Sequence, residues 1–194
     1  MLTPEQVRDL LERHGTTCPQ SALEWRGEIP LPATVERFYA DAGPSDITIK
    51  SLGNSYFLPK LADLWQFQVG YRWHGFTGER LPEWDEDWLV VADQGGAPFI
   101  LSISTNSILY AHHGEGVWEP EVIYPDIFTM SACMAILGSI VVDARDDFTD
   151  QGCRIRPRHQ AEAMRRFEDV LGSSAEAEAV LGLCGWVDPE GSDE

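Results

Sequence analysis

Residues 88–111 read WLVVADQGGAPFILSISTNSILYA. The apolar run 88–92 leads into the turn residues 93–96, after which apolar residues alternate with serines up to Ser104. Gly95 and Gly96 can adopt the positive φ angles that a tight hairpin requires. A second turn at residues 105–107 leads into the apolar run 108–111. The pattern predicts consecutive antiparallel strands, that is, a β-meander.

Helical and strand patterns flank this meander. Thr3 and Gln6 have the spacing of a capping box with Pro4 at the first helical position, which predicts an N-terminal helix. Alternating residues predict further strands at 47–49 and 56–58 and an edge strand within 117–124. Apolar residues at helical spacing predict helices at 35–42, 60–73, 127–142, 164–171 and 175–183.

These elements predict an α+β fold, in which helices pack on an antiparallel β-meander and a C-terminal helical extension follows. The chain has 194 residues, which is enough for one sizeable core, whereas two full domains would be cramped. We expect an α+β domain over residues 1–142 and a helical extension packed on the same domain over 143–187. Residues 188–194 are expected to form a flexible acidic tail.

Acidic residues dominate the chain and are concentrated around the meander. The sequence has 32 Asp and Glu against 14 Lys and Arg, which gives a net charge of −18. Residues 79–126, here called the acidic segment, contain ten acids and a single base, Arg80, and therefore carry a charge of −9. Such a concentration repels itself and attracts positively charged partners. The balance favours a basic protein partner over direct binding to nucleic acid or to an anionic membrane.

The N-terminus, the longest apolar run and the cysteines bear on the compartment. Residues 3–6 start a polar helix where a signal peptide would be apolar. The run 127–142 is shorter than the roughly 20 apolar residues of a membrane span, so we expect a buried helix. The cysteines have no C-x-x-C spacing, which favours free thiols over a zinc site or a disulfide. We expect a cytoplasmic protein with no cofactor and no metal.

The sequence contains no motif that predicts catalysis. His112 and His113 are adjacent on a predicted strand and would face opposite sides, so they cannot bind one metal ion together. The acidic run 85–87 lacks the spaced ligands and the glycine of a calcium loop. Carboxylate pairs of the glycosidase type stay open, because their separation is a three-dimensional quantity. We therefore expect a binding protein and not an enzyme.

Two of the seven tryptophans are bordered by acids. Trp84 and Trp118 have the surroundings of an interface anchor, in which the ring contributes contact area and the rim charges steer the partner. The alternative, a half-buried tryptophan that caps the end of the sheet, is open. Trp65 and Trp88 lie in apolar patterns and are expected in the core. The predicted partner-binding site comprises Trp84, Asp85, Glu86, Asp87, Glu115, Trp118 and Glu119.

Several short motifs resemble the SUKH superfamily, which includes bacterial immunity proteins and a yeast regulator of cell-wall synthesis. The motifs are an N-terminal helix, IPLP at 29–32 leading into VERFY at 35–39, WLVVADQGG at 88–96, and a helix beginning DIF at 126–128. The resemblance covers residues 5–140. It implies helices packed on an antiparallel sheet and non-catalytic binding to a partner protein. In bacterial members that partner is a toxin, often a nuclease or another nucleic-acid-modifying enzyme.

Charge and resemblance together suggest two functions. In the first, the chain is an immunity protein that binds a cognate, basic toxin and occludes its active site. In the second, it is a general interaction or regulatory adaptor with no toxin partner. A hydrolase or metalloenzyme would require convergent perturbed groups in a pocket. One interpretation of the arginine island is pairing with the chain's own acids; the island comprises Arg154, Arg156, Arg158, Arg165 and Arg166.

Overall fold

A computed structural model of the protein describes residues 2–114 and 117–187. In these residues the α-helices are α1 (Pro4–Leu11), α2 (Ala33–Asp41), α3 (Ile127–Ala144), α4 (Pro157–Leu171) and α5 (Ser174–Leu183). The strands are β1 (Ile47–Ile49), β2 (Tyr56–Leu58), β3 (Trp88–Gln94), β4 (Ala97–Ser102), β5 (Ile108–Tyr110) and β6 (Glu121–Tyr124). The predicted α+β class is confirmed. The predicted tail, 188–194, lies outside the described residues.

The strands form one sheet in chain order from β1 to β6, and every neighbouring pair is antiparallel. The predicted meander is therefore confirmed. Gly95 and Gly96 connect β3 to β4 with φ angles of 63° and 97°. A side chain at either position would strain this backbone, so the two glycines explain why the hairpin turns here.

The two faces of the sheet belong to different apolar clusters. Leu89 and Leu101 form a cross-strand pair in the main core, whereas the next pair, Val90 and Ile100, lies in a second cluster. Side chains alternate between the faces of a strand, so the two clusters lie on opposite sides of the sheet. Helix α3 belongs to the main core, where Gly138 permits close contact with β1: a Cβ there would lie 2.2 Å from Cγ2 of Ile49.

Helix α3 is buried along most of its length, as the sequence predicts. Asp126 caps its start, because Oδ1 accepts a hydrogen bond of 2.8 Å from the Thr129 N–H. Among the described residues, the helical stretch Ile127–Asp147 is long and apolar enough to cross a bilayer, but 67% of its most apolar 18 residues are buried inside the protein. The buried core helix of a globular domain can have the same length and composition.

The second face of the sheet is covered by the mostly irregular segment 67–87, which includes Tyr71 and Trp84. Leu61 and Leu64, just before it, belong to the main core. The predicted helix at 60–73 is wrong: the chain forms only two short 3₁₀ turns there, Leu61–Asp63 and Gln66–Gln68. Gly70 follows with φ at 93°, which interrupts any longer helix. The helix does not form because Gln68 and Arg72 instead make hydrogen bonds with the backbone of β3.

Gln68 and Arg72 bind the part of β3 that β2 does not reach. Strand β2 pairs with β3 only at Asp93 and Gln94. The fully buried Gln68 amide accepts from the Val90 N–H at 2.9 Å and donates to the Val90 carbonyl at 2.9 Å. Arg72 Nη2 donates to the carbonyl of Trp88 at 2.7 Å. Two side chains thus satisfy backbone groups that a neighbouring strand would otherwise bond.

Helices α4 and α5 pack on the main core. Phe167 of α4 and Trp186 after α5 are almost fully buried, and the Trp186 ring lies 5.3 Å from that of Phe148. Each arginine of the arginine island forms an ion pair with an acid of the same region. The pairs are Arg154–Asp150, Arg156–Asp147, Arg158–Asp147, Arg165–Asp169 and Arg166–Glu162. The island is therefore neutralised within the chain.

Candidate partner-binding site

The structure brings Trp84 and Trp118 together, with ring centroids 5.8 Å apart in an edge-to-face arrangement. Trp84 is only 2% exposed, and its Nε1–H donates to the Trp88 carbonyl at 3.2 Å. The expectation that Trp84 offers its ring to a partner does not fit this burial. Its ring lies instead beneath Trp118, which is half-buried and presents part of its own surface. The burial follows from the indole N–H finding a backbone acceptor at the edge of β3.

Asp85 and Glu86 lie exposed just before β3. Asp85 Oδ1 accepts a hydrogen bond of 2.8 Å from the Asp87 N–H, which fixes the local turn. Glu86 pairs with Arg80 at 2.8 Å, although its side chain is 82% exposed. Exposed ion pairs of this kind contribute little to stability. Both carboxylates are therefore accessible to a partner.

Asp87 has a structural role. Its Oδ2 accepts from the Ser102 hydroxyl at 2.6 Å and its Oδ1 from the Ser104 N–H at 2.8 Å, so it organises the turn after β4. Partial burial alone would raise the pKa of Asp87, but the hydrogen bonds from both serines outweigh burial and lower it. Asp87 contributes negative charge to the surface, but replacing it would also disturb this turn.

The remaining predicted residue with a described position, Glu119, is exposed next to Trp118. Glu115 lies outside the described residues. Other exposed acids of the acidic segment are Glu79, Glu83 and Glu121. Across residues 2–114 and 117–187, the Arg80–Glu86 pair is the single ion pair that involves the acidic segment. The structure therefore leaves most of this negative charge unneutralised.

Apolar side chains are exposed close to these acids in the chain. Val117 is 58% exposed beside Trp118, and Val122 is 66% exposed on the edge strand β6. Phe76 is 98% exposed in the loop that precedes Glu79. Protein interfaces combine apolar contact area with a polar rim. The composition of this surface therefore suits a protein partner.

A pocket that the sequence analysis missed lies at the other end of β3. It has a volume of about 390 Å³, and its lining includes Asp93, Tyr71, Phe67, His113 and Trp118. The Tyr71 hydroxyl is 3.3 Å from both Asp93 Oδ2 and the Gly96 carbonyl oxygen. Trp118 connects the pocket to the predicted site, because its ring packs against both Tyr71 and Trp84.

Burial raises the pKa of Asp93 above its ordinary value of 3.8, although hydrogen bonds from Tyr71 and from the Gly96 N–H oppose the shift. Burial also raises the pKa of Tyr71, and the neighbouring Asp93 charge adds to that effect. The pocket thus places a partly desolvated carboxylate among aromatic rings. A sequence signal for it was weak: Asp93 precedes a glycine turn, but Tyr71 is 22 residues away along the chain.

His112 and His113 are both exposed after the end of β5. Within the part of the chain that the structure describes, no three His, Cys, Asp or Glu residues are grouped so that they could hold a metal ion. The four cysteines are free thiols, as predicted, and Cys133 is buried in α3.

No family model, no curated protein and no solved structure matches the chain. The resemblance to the SUKH superfamily stays a prediction.

Proposed function

We propose that this protein is a non-catalytic immunity protein, which binds a cognate basic toxin and neutralises it by occluding the toxin's active site. The observation that carries the proposal is the exposed and largely unneutralised charge of the acidic segment. Its single base, Arg80, pairs with Glu86, whereas the exposed acids Glu83, Asp85 and Glu119 have no ion pair among the described residues.

Unpaired charge of one sign acts on a partner in two ways. It accelerates encounter with a basic surface by electrostatic steering, and it suppresses association with acidic proteins. It also repels itself within the free protein, so a cationic partner relieves a cost that the folded chain otherwise bears. Enzymes that act on nucleic acid bind phosphates with Lys and Arg, and an acidic protein surface competes for those side chains.

The partner class follows from this chemistry and from the resemblance. A SUKH-type immunity protein would act in the cytoplasm on a toxin such as a nuclease or another nucleic-acid-modifying enzyme. In this proposal the chain itself contacts neither nucleic acid nor membrane. The exposed apolar residues Val117 and Val122 supply contact area beside the acids, which favours a protein partner over a small cation.

The test is to look for a toxin-like domain encoded beside this chain's gene and to coexpress that domain with this chain. The toxin alone should kill the cell, and coexpression of the intact chain should restore growth. The purified pair should form a stoichiometric complex, and mass spectrometry should find the released toxin unmodified. Chemically modified toxin after contact with substoichiometric amounts of this protein would contradict occlusion. If the two genes have no effect on each other, the immunity function is contradicted and the adaptor alternative remains.

A further inference from the structure

The pocket beside Trp118 contains a carboxylate, Asp93, that has no lysine or arginine near it among the described residues. Asp93 is its one carboxylate in the described chain, and no Lys or Arg lines it. Asp93 also forms no ion pair with any described residue. Its oxygens receive hydrogen bonds only from neutral groups, the Tyr71 hydroxyl and the Gly96 N–H. A half-buried carboxylate is thus left without a described lysine or arginine partner, in a pocket that is also lined by the ionisable ring of His113.

Aromatic rings form the walls around this carboxylate. The rings of Tyr71 and Trp118 lie 5.8 Å apart with their planes inclined by 53°, and Phe67 lies 6.5 Å from Tyr71. Aromatic faces attract ammonium and guanidinium groups and do not attract anions. The long aliphatic stems of Lys and Arg also pack well on such rings. The Asp93 carboxylate and the surrounding rings therefore both favour an ammonium or guanidinium group.

The available space fits one such side chain. The volume of about 390 Å³ is at the lower end of ligand pockets, which is adequate for a single side chain but small for a drug-sized molecule. Trp118 forms one wall and also belongs to the predicted partner-binding site, so the pocket opens beside the surface that the partner is expected to cover. Glu119 follows Trp118 directly in the chain and is exposed.

We propose that this pocket accepts a lysine or arginine side chain of the toxin, with its cationic group at Asp93 and its stem against the rings of Tyr71 and Trp118. This inference rests on the proposed function for the identity of the partner, but the binding chemistry belongs to the pocket itself. The inserted side chain is an anchor of the complex, and the exposed acids around it form the rim.

A variant separates the role of Asp93 in binding from any role in folding. In Asp93→Asn the amide oxygen still accepts the Tyr71 hydrogen bond, while the charge is removed. Because burial disfavours the charged form of Asp93, the neutral variant should be at least as stable as the native chain. A residue whose replacement preserves stability but abolishes binding has a functional reason for being there.

The first experiment uses the protein without any toxin. N-acetyl-lysine methylamide and N-acetyl-arginine methylamide serve as probes, and N-acetyl-norleucine methylamide is the uncharged control. NMR should show saturable shifts of the Trp118 indole N–H with at least one cationic probe and none with norleucine. Asp93→Asn should remove the saturable shifts, whereas Glu168→Gln, which removes an exposed charge of α4 outside both the pocket and the acidic segment, should retain them. Equal shifts with norleucine, or with Asp93→Asn, would overturn the inference.

The second experiment uses the complex. Asp93→Asn should weaken toxin binding by about tenfold or more, mainly through faster release, whereas Glu168→Gln, in α4, should change affinity by less than about twofold. Substitution by Ala of the toxin lysine or arginine that enters the pocket should give a similar loss, and the two losses should not add. If the protein rescues cells but Asp93→Asn binds as tightly as the native chain, the pocket inference fails while the proposed function stands. If the probes bind but no toxin is neutralised, the proposed function fails while the pocket stands.

Discussion

The acidic segment and the arginine island both concentrate charge, but the fold treats them differently. All five arginines of the island pair with acids of the same C-terminal region, including Asp147 and Asp150. In the acidic segment, the described residues form one ion pair, Arg80–Glu86. Charge density in a sequence therefore does not identify a binding surface. What distinguishes the two is whether the folded chain supplies the counter-charge itself.

The largest expected effect concerns Trp84. Its replacement tests whether this residue of the acidic segment stabilises the fold or contacts the partner. Trp84→Ala should lower the free energy of unfolding by about 3–5 kcal/mol, because it removes a 2% exposed indole packed against Tyr71, Trp88 and Trp118. Denaturant unfolding followed by far-UV circular dichroism measures the loss. A loss below about 1 kcal/mol, together with weakened toxin binding, would show that the ring contacts the partner after all.

Trp118 should behave differently, because it is half-buried at the surface. Trp118→Ala should speed release of the toxin and weaken affinity by about 2 kcal/mol, near thirtyfold. Its effect on stability should be smaller than that of Trp84→Ala. Surface plasmon resonance gives the off-rate, and Trp118→Phe, which keeps an aromatic wall, is the matched control. An unchanged off-rate in the folded Ala variant would remove Trp118 from the site.

Charge reversal tests the contrast between neutralised and unneutralised acids. Asp85→Lys combined with Glu119→Lys should lower the on-rate by about tenfold at low salt, because both acids are exposed and lack a basic partner. Glu162→Lys with Asp169→Lys makes the same change in net charge at acids already paired with arginine, and should alter the on-rate less. Asp87 is left intact because it organises the Ser102–Ser104 turn.

Stopped-flow kinetics across a salt series complete this test. Exposed charges are screened beyond about 8 Å at physiological ionic strength, so the on-rate of the native chain should fall with salt and that of the reversed variant should fall less. Equal on-rates for both double variants would mean that net charge, and not its location, governs encounter. An on-rate independent of salt would reduce the acidic segment to a solvated surface.

The smallest expected effect is on the pH dependence of stability, because the pKa values of Asp93 and Asp150 are shifted in opposite directions. Burial raises the pKa of Asp93 above its ordinary 3.8, whereas a hydrogen bond from the Arg154 backbone, together with other bonds and the Arg154 charge, lowers that of Asp150. Charged Asp93 therefore opposes folding above its raised pKa, and this penalty disappears as pH falls through it. Asp150 stabilises the fold above its ordinary pKa, and that contribution is lost as pH falls through its lowered value.

Two variants, each of which removes one charge, test the direction of these contributions to stability. Asp93→Asn should equal or exceed the stability of the native chain at pH 7, and Asp150→Asn should be less stable than the native chain. Both differences should shrink in acid. Carboxyl ¹³C titration by NMR should place the midpoint of Asp93 above that of Asp150. The reverse order would contradict the assignment of Asp93 as a desolvated carboxylate.

The sequence predicted those parts of the fold that depend on local periodicity. The alternation in β3 and β4, the glycine turn at 95–96 and the capping box at Thr3 all correspond to observed elements. The helix predicted at 60–73 failed, because tertiary bonds from Gln68 and Arg72 to β3 override the local apolar spacing. Local patterns carry no information about which distant backbone groups lack a partner.

The sequence predicted which types of residue make up the candidate site, but not which of their side chains are buried and which are exposed. Acids around Trp84 and Trp118 were visible in the sequence, yet their spacing is the same whether an indole points inward or outward. Trp84 is buried because its N–H reaches the Trp88 carbonyl, which depends on the folded edge of β3. The Asp93 pocket requires Tyr71, Asp93 and Trp118 to converge from three separate stretches of the chain.

The bonds from Gln68 and Arg72 to β3 also bear on self-association. A strand with free N–H and C=O groups is a template on which a second copy of the chain can add a strand, and such pairing propagates into fibres. The Gln68 amide offers β3 one donor and one acceptor, as a strand residue does, but it ends there and extends no ladder. The Gln68 side chain thus closes this stretch of β3 against strand addition and so disfavours self-association of the chain.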